Sequence, residues 1–243
     1  MKRMSLMCMG LLVLPAIVVT PPGLSAQSAP EARRMTLAVG GGKVSSMYVG
    51  DSFAVPGRDQ DVWFTYDRPG LELTGQATRA RKGITFGASL HIPIGGLGGR
   101  LSLITGGQYV QKGVWIEGNG VKAEMNVDYL DVPMLLSVRL TGTDSPIGVS
   151  VFAGASASFE AGCKVVKTLE GATTKVDCDA ERLSTDLSRI FGAEVRVPIT
   201  ERLDILVSGG SDYGFRALDV RDQDNVKNHH NFASIRIGFP IGG

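Results

Sequence analysis

Apolar and polar residues alternate with a period of two through most of the sequence after Met35. The clearest segment runs from Ile84 to Ile94, where the even-numbered residues are apolar and the odd-numbered residues are polar or small. Comparable segments lie at 35–44, 101–115, 121–140, 147–160, 191–199, 203–208 and 233–241. Because side chains of a β-strand point alternately to opposite faces, this period is typical of strands with one apolar face. The sequence therefore predicts an all-β fold with eight strands.

The connections between these segments differ in length in a regular way. The connections at 95–99, 141–145 and 200–201 are short, and they follow the second, fourth and sixth segments. The connections at 51–82, 161–185 and 216–229 are long, and the remaining one, at 117–120, is brief. Short periplasmic turns at one end and long outer loops at the other are typical of outer-membrane barrels. We therefore expect an eight-stranded antiparallel up-and-down transmembrane β-barrel with short periplasmic turns and long extracellular loops.

The direction of the apolar face separates two kinds of barrel. An apolar face turned inward would give a soluble, lipocalin-like barrel with an apolar ligand cavity, whereas an apolar face turned outward would contact lipid. The thin apolar faces and the Gly- and Ser-rich opposite faces favour lipid contact. Charged residues would then share the lumen as a structural network that neutralises its own charges. The predicted members are Lys112, Asp131, Arg139, Glu194, Arg196, Asp204 and Arg236.

Eight strands enclose an interior just wide enough for side chains, so no wide pore is expected. A narrow, porin-like channel for small solutes stays open as an alternative. The chain contains 32 glycines. We expect many of them on the lumen face, where a narrow closed sheet needs small residues, and in the turns.

Aromatic residues concentrate where the predicted strands approach the long loops. Outer-membrane barrels carry such residues in girdles at the membrane interface. The predicted girdle comprises Trp115, Tyr129, Phe159, Tyr213 and Phe215.

The segment 121–140 changes its apolar phase midway. Apolar residues occupy odd positions up to Tyr129 and even positions from Leu130 onward. A slip of one residue reverses the faces of a strand, so this change predicts a β-bulge near Tyr129 and Leu130.

The N-terminus has the features of a secretory signal peptide. Lys2 and Arg3 precede an apolar run at 6–19, and Leu24-Ser25-Ala26 offers a small-residue cleavage site. A membrane anchor helix is the alternative, but prolines interrupt the run. We expect residues 1–26 to be the signal peptide, 27–34 a short N-terminal segment and 35–243 the barrel domain, located in the bacterial outer membrane.

Export changes the interpretation of the cysteines. Cys163 and Cys178 follow the predicted cleavage site and have fourteen residues between them. A loop disulfide is the favoured hypothesis, and it would stabilise the fold by about 3 kcal/mol. A metal pair or free thiols are the alternatives.

Nucleic-acid binding is not expected, because 25 basic residues balance 24 acidic ones and no basic stripe is present. No cofactor or metal motif is recognised. The chain has three histidines, of which His91 lies on a polar strand face. His229 and His230 could approach Asp212 at the outer rim, which leaves a rim hydrolase as an alternative. A polar rim without catalysis is favoured, and we predict no enzymatic activity.

Several motifs carry a resemblance. The stretch from Gly106 to Gly113 (GGQYVQKG) is followed by the stretch from Tyr129 to Leu136 (YLDVPMLL). In their order and spacing these resemble the PorT-like outer-membrane β-barrel family. The resemblance implies a fold and a location more than an activity, namely a structural or envelope role, or binding by extracellular loops. It also implies contact with outer-membrane lipid and with the barrel assembly machinery, and a possible extracellular or periplasmic protein partner. The assembly machinery often reads a terminal aromatic residue, and Phe239 is the candidate here.

Overall fold

A computed structural model describes residues 34–49, 63–68, 71–94, 99–118, 121–142, 145–169, 172–177, 185–215 and 227–241. The predicted signal peptide and most of the segment 27–34 lie outside these ranges. Among the described residues there are ten strands: β1 (Met35–Val49), β2 (Trp63–Arg68), β3 (Leu71–Pro93), β4 (Leu101–Gly118), β5 (Val121–Arg139), β6 (Gly148–Leu169), β7 (Ala172–Asp177), β8 (Thr185–Thr200), β9 (Leu203–Gly214) and β10 (Lys227–Ile241). Within the same residues, no helix is long and apolar enough to cross a membrane.

Eight of the described strands close into an antiparallel barrel. The hydrogen-bonded order is β1-β10-β9-β8-β6-β5-β4-β3, and β1 also pairs with β3, from Thr36 opposite His91 to Ser46 opposite Arg81. The two short strands extend hairpins at the end of the long connections, since β2 pairs with β3 and β7 pairs with β6. The short connections lie at the opposite end, where Ile94 donates a hydrogen bond to the carbonyl of Leu101. The predicted barrel topology is confirmed.

The apolar face of the barrel points outward. Met134 is 61% exposed and Ile235 is 62% exposed, and both lie in the middle of their strands. The outward apolar residues run from Leu130 on β5 to Leu140, the residue after its end. This distance is about 25 Å along the barrel axis for strands tilted by roughly 40°. A lipocalin-like barrel requires the opposite orientation, so that alternative is wrong for this part of the molecule.

The predicted bulge is present beside Tyr129, but its extra residue does not lie on β5. The odd-numbered residues of β5 point inward along its whole length, from Ala123 at 0% exposure to Ser137 at 4%. Pairing with β4 continues without a slip from Gly118 opposite Val121 to Gln108 opposite Asp131. The extra residue lies on the neighbouring strand β6, because Tyr129 pairs with Glu160 and Asp128 pairs with Gly162.

The apolar phase of β5 changes because the polarity of its outward face changes, while the face itself stays the same. The outward residues Asn126 and Asp128 are polar, whereas the next outward residues, Leu130 and Val132, are apolar and exposed. Toward the loop end the inward residues are apolar instead, and Met125, Val127 and Tyr129 are buried. The barrel therefore has an apolar surface up to Leu130 and a water-compatible surface beyond it. We call the level of Leu130 the polarity boundary.

An apolar layer crosses the interior near mid-height. Ile104, Leu135, Phe152 and Ile190 are buried there, and Phe232 packs against them. The rings of Phe152 and Phe232 stack with centroids 6.5 Å apart. Gly192 makes room for this layer, because a Cβ atom at its position would lie 2.6 Å from Cζ of Phe152.

Candidate functional site

Polar side chains inside the barrel form two clusters on either side of the apolar layer. The loop-end cluster lies toward the long connections, and the turn-end cluster lies toward the short ones. The loop-end cluster contains Lys112, Asp131, Asp186, Asp212, Asn228 and His230. The turn-end cluster contains Ser89, His91, Glu194, Arg196, Asp204, Ser208 and Arg236.

The Lys112 ammonium group lies at the centre of the loop-end cluster. Its Nζ lies 3.2 Å from Oδ2 of Asp131 and 4.0 Å from Oδ2 of Asp212. It also donates a hydrogen bond to Oγ of Ser158 at 3.4 Å and lies 4.8 Å from the ring centroid of Tyr129. Lys112 comes from β4, and its carboxylate partners come from β5 and β9. This ion pair therefore ties strands together across the lumen.

Two further residues complete the loop-end cluster from β10. Nε2 of His230 lies 3.6 Å from Oδ2 of Asp212, its direct partner in the β9–β10 pairing. Nδ2 of Asn228 donates hydrogen bonds of 3.4 Å to the Tyr129 hydroxyl and to Oδ2 of Asp186. Both residues are almost fully buried. The barrel strands that carry the loop-end cluster thus separate it from the solvent-exposed surface.

The turn-end cluster is organised by two arginines. Arg236 donates a hydrogen bond to Oε2 of Glu194 at 3.1 Å and further bonds of 2.9 Å to the hydroxyls of Ser89 and Ser208. Nε of Arg196 lies 3.9 Å from Oδ2 of Asp204. His91 contributes Nδ1, which lies 3.7 Å from Oε1 of Glu194. Here the basic and acidic groups are matched.

Arg139 borders the turn-end cluster, because it lines the same cavity as His91, Glu194 and Arg196. Its guanidinium group donates to Oγ1 of Thr141 at 3.2 Å and to the carbonyl of Ser145 at 2.8 Å. Arg139 therefore stabilises the short connection between β5 and β6. The seven charged residues predicted to share the lumen thus lie at two levels of the barrel. Lys112 and Asp131 lie in the loop-end cluster, and the other five lie at the turn end.

The predicted girdle is only partly at the polarity boundary. Phe159 is 48% exposed and pairs with Leu130, and Phe215 is also exposed on the outer surface. Tyr213 stacks on Phe191 with ring centroids 5.7 Å apart.

Tyr129 and Trp115 depart from the girdle prediction. Tyr129 is 1% exposed and points inward, because every odd-numbered residue of β5 does so. Trp115 is exposed but pairs with Glu124, well beyond the boundary.

Sequence reasoning missed three aromatic residues of the boundary. Phe86 and Tyr109 pair directly and pack with ring centroids 4.9 Å apart, and Tyr109 in turn pairs with Leu130. Phe191 is exposed beside Tyr213. Their place on the apolar, outward side of the alternation was the signal that could have found them.

One of the two cysteines predicted to form a disulfide lies in the described part of the chain. Cys163 lies on β6, where the following residue, Lys164, pairs with Asp177 of β7. Cys178 lies outside the described residues. The disulfide between Cys163 and Cys178 therefore stays a prediction.

No protein-family model matches the chain, and no curated protein matches it. Among solved structures it is similar to Ail, the attachment invasion locus protein of Yersinia pestis, with 13% identity, a TM-score of 0.40, and coverage of 85% of this chain and 99% of that one. Neisserial surface protein A has 12% identity and a TM-score of 0.43, with coverage of 83% and 96%. OprG of Pseudomonas aeruginosa has 9% identity and a TM-score of 0.43, with coverage of 87% and 97%. Likeness of this degree identifies no family and assigns no activity.

Proposed function

We propose that the chain spans the bacterial outer membrane as a closed barrel with a non-enzymatic, structural or envelope role of the PorT-like type. The observation that carries this proposal is the outward apolar band on the barrel strands. Phe86, Met134 and Ile235 are each more than half exposed, on the outside of the eight strands that close into the barrel, and this apolar face would need lipid to cover it. Exposure of such a continuous apolar surface to water is unfavourable, and large exposed apolar patches mark interaction surfaces.

The aromatic residues at the boundary support the same placement. On one side of the barrel, Phe86 pairs with Tyr109, which pairs with Leu130, which in turn pairs with Phe159. On the other side lie Tyr213 and Phe191, on the paired strands β9 and β8. Aromatic side chains at membrane interfaces combine an apolar body with a polar end or edge. This row would lie at the outer headgroups, with the outer-membrane lipid as the immediate partner.

Beyond the boundary, the strands form a stalk suited to binding outside the membrane. The β4–β5 hairpin continues to the pair of Gly118 with Val121, and β6 continues to Leu169. Its inward residues Met125, Val127 and Val165 are buried, so the stalk has its own apolar core. We propose that this extension holds the extracellular loops in place for an extracellular protein partner or as a shield.

The lumen favours a closed barrel over the alternative of a narrow solute channel. The apolar layer around Phe152 and Phe232 lies between the two polar clusters. A hydrophobic constriction of this kind resists wetting and ion passage. We therefore propose that the barrel does not conduct.

The histidines favour a structural role over hydrolysis. His230 and Asp212 are each 2% exposed, so a substrate at the outer rim could not reach them. His229 points outward but packs against Tyr213, with ring centroids 4.1 Å apart. If an activity were found, replacing His229 and His230 by Ala would test whether it uses either ring.

Cell fractionation tests the proposal. The expected result is recovery in the outer-membrane fraction, with faster gel migration before boiling than after, as folded barrels show. Recovery as a soluble periplasmic protein would contradict it. Clear single-channel conductance of the purified protein in planar bilayers would instead favour the solute channel.

A further inference from the structure

The loop-end cluster holds more negative than positive charge. Three carboxylates, from Asp131, Asp186 and Asp212, face the ammonium group of Lys112, and all four side chains are at most 4% exposed. With neutral histidines, three negative charges and one positive charge give these described residues of the loop-end cluster a formal charge of −2. Buried charge that lacks compensation is strongly destabilising. The turn-end cluster has no such excess, because Arg196 and Arg236 match Glu194 and Asp204.

Three ligand-type side chains of this cluster converge on one point. Oxygen atoms of Asp131 and Asp212 and a ring nitrogen of His230 all lie within 4.8 Å of one another. The three residues come from β5, β9 and β10, so strand pairing and barrel closure fix their positions. A site on rigid strands needs little rearrangement to bind an ion.

Several of these atoms have no hydrogen-bond partner. Oδ1 of Asp131 accepts no hydrogen bond. Oδ2 of Asp131 and Oδ2 of Asp212 have ionic contacts with Lys112, at 3.2 and 4.0 Å, but accept no hydrogen bond either, and Oδ2 of Asp212 also faces His230. Nδ1 of His230 is also without a partner. Buried polar atoms are normally hydrogen-bonded, so such a concentration at one place calls for a ligand.

We propose that Asp131, Asp212 and His230 form a binding site for a divalent transition-metal ion, of which Zn²⁺ is the best match. One imidazole and two carboxylates are a donor set that suits zinc, whereas Mg²⁺ and Ca²⁺ prefer oxygen ligands alone. A charge of +2 neutralises the formal excess. The ion displaces the Lys112 ammonium group from Asp131, and Lys112 keeps Ser158 and the Tyr129 ring as neighbours. The ion would tie β5 to β9 and β10 across the lumen.

Zinc titration of the full-length chain tests this site independently of where the barrel resides. The protein is folded in detergent without a polyhistidine tag, stripped with EDTA, titrated with ZnCl₂, desalted and analysed for metal. We expect about one zinc per chain, and weakening of affinity by more than about tenfold in both His230→Gln and Asp212→Asn. The matched control is His91→Gln, which removes a buried histidine next to a carboxylate in the turn-end cluster and should leave zinc binding unchanged. Absence of bound zinc in the wild type, or equal loss in His91→Gln, would overturn the proposal.

Lys112 provides a second and opposite test. Because its ammonium group occupies the same carboxylates, Lys112→Met should increase the affinity for zinc. Unchanged or weaker binding in a folded Lys112→Met protein would overturn the proposal. If Lys112→Met does not fold, Co²⁺ binding to the wild type provides the second test. We expect the strong visible absorption of Co²⁺ in a low-coordinate site, and the weak spectrum of hydrated Co²⁺ would contradict the proposal.

Discussion

Arg236 is the residue on which the turn-end cluster depends most. Its guanidinium group contacts Glu194, Ser89 and Ser208 at 2.9 to 3.1 Å, inside the barrel. Each partner comes from a different strand. Loss of this one side chain would leave a buried carboxylate with weaker compensation.

We expect Arg236→Met to lower the free energy of unfolding by about 3 to 5 kcal/mol, because breaking a buried pair leaves an uncompensated charge. Urea unfolding of the protein refolded in detergent measures it. Arg79→Met is the matched control, since the Arg79 side chain is 70% exposed in its pair with Glu117. That pair should contribute about 1 kcal/mol or less. Equal effects of the two substitutions would contradict the structural role of the turn-end cluster.

Glycine at position 192 is required by the packing of the apolar layer. A Cβ atom there would lie 2.6 Å from Phe152 and would also contact the carbonyl oxygen of Gly209. We expect Gly192→Ala to destabilise the barrel by about 1 to 3 kcal/mol through overpacking. Gly107→Ala is the control, because a Cβ atom at Gly107 meets no atom within 4 Å. Similar unfolding midpoints for both variants would show that the space around Gly192 is not limiting.

At the scale of the element, β5 shows what alternation can and cannot predict. The even-numbered residues from Leu130 onward were predicted to form one apolar face, and they do so. The change of phase before Leu130 was attributed to a slip of the backbone, whereas the structure shows one outward face that changes from apolar to polar residues. A one-residue slip of the backbone and a change in the polarity of one face produce the same sequence pattern. In both cases the apolar residues move from odd to even positions.

The polarity boundary on β5 predicts a position-dependent effect of charge. Met134→Lys places a charge in the middle of the apolar band and should cost about 2 to 4 kcal/mol in lipid. Asn126→Lys, on the same face but beyond the boundary, should be nearly neutral. Folding into lipid vesicles across a urea series measures both. A soluble barrel would tolerate Met134→Lys as well as Asn126→Lys, which would contradict the lipid-facing band.

At the scale of the whole molecule, closure of the barrel was predictable but the meeting of side chains across it was not. Eight alternating segments with unequal connections specify the strand order, because neighbouring strands pair in sequence. Lys112 and Asp131 were each predicted to be inward, yet their contact with Asp212 and His230 depends on register and on the distance across the lumen. Neither quantity is encoded in a local pattern. Phe152 likewise breaks the alternation of β6, where its inward neighbours Ser150 and Gly154 are small or polar, because it fills the apolar layer.

The central claim is that the outer face of the barrel contacts lipid up to Leu130 and water beyond it. Nitroxide labels test this most directly when they are placed one at a time along β5 and the residue after it, from Lys122 to Leu140. The labelled protein carries Cys163→Ser and Cys178→Ser and is reconstituted in vesicles. We expect even positions from 130 to 140 to be accessible to oxygen, even positions from 122 to 128 to be accessible to a water-soluble nickel complex, and odd positions to be protected from both. Oxygen accessibility at odd positions, or nickel accessibility at Val132, Met134 and Leu136, would contradict the claim.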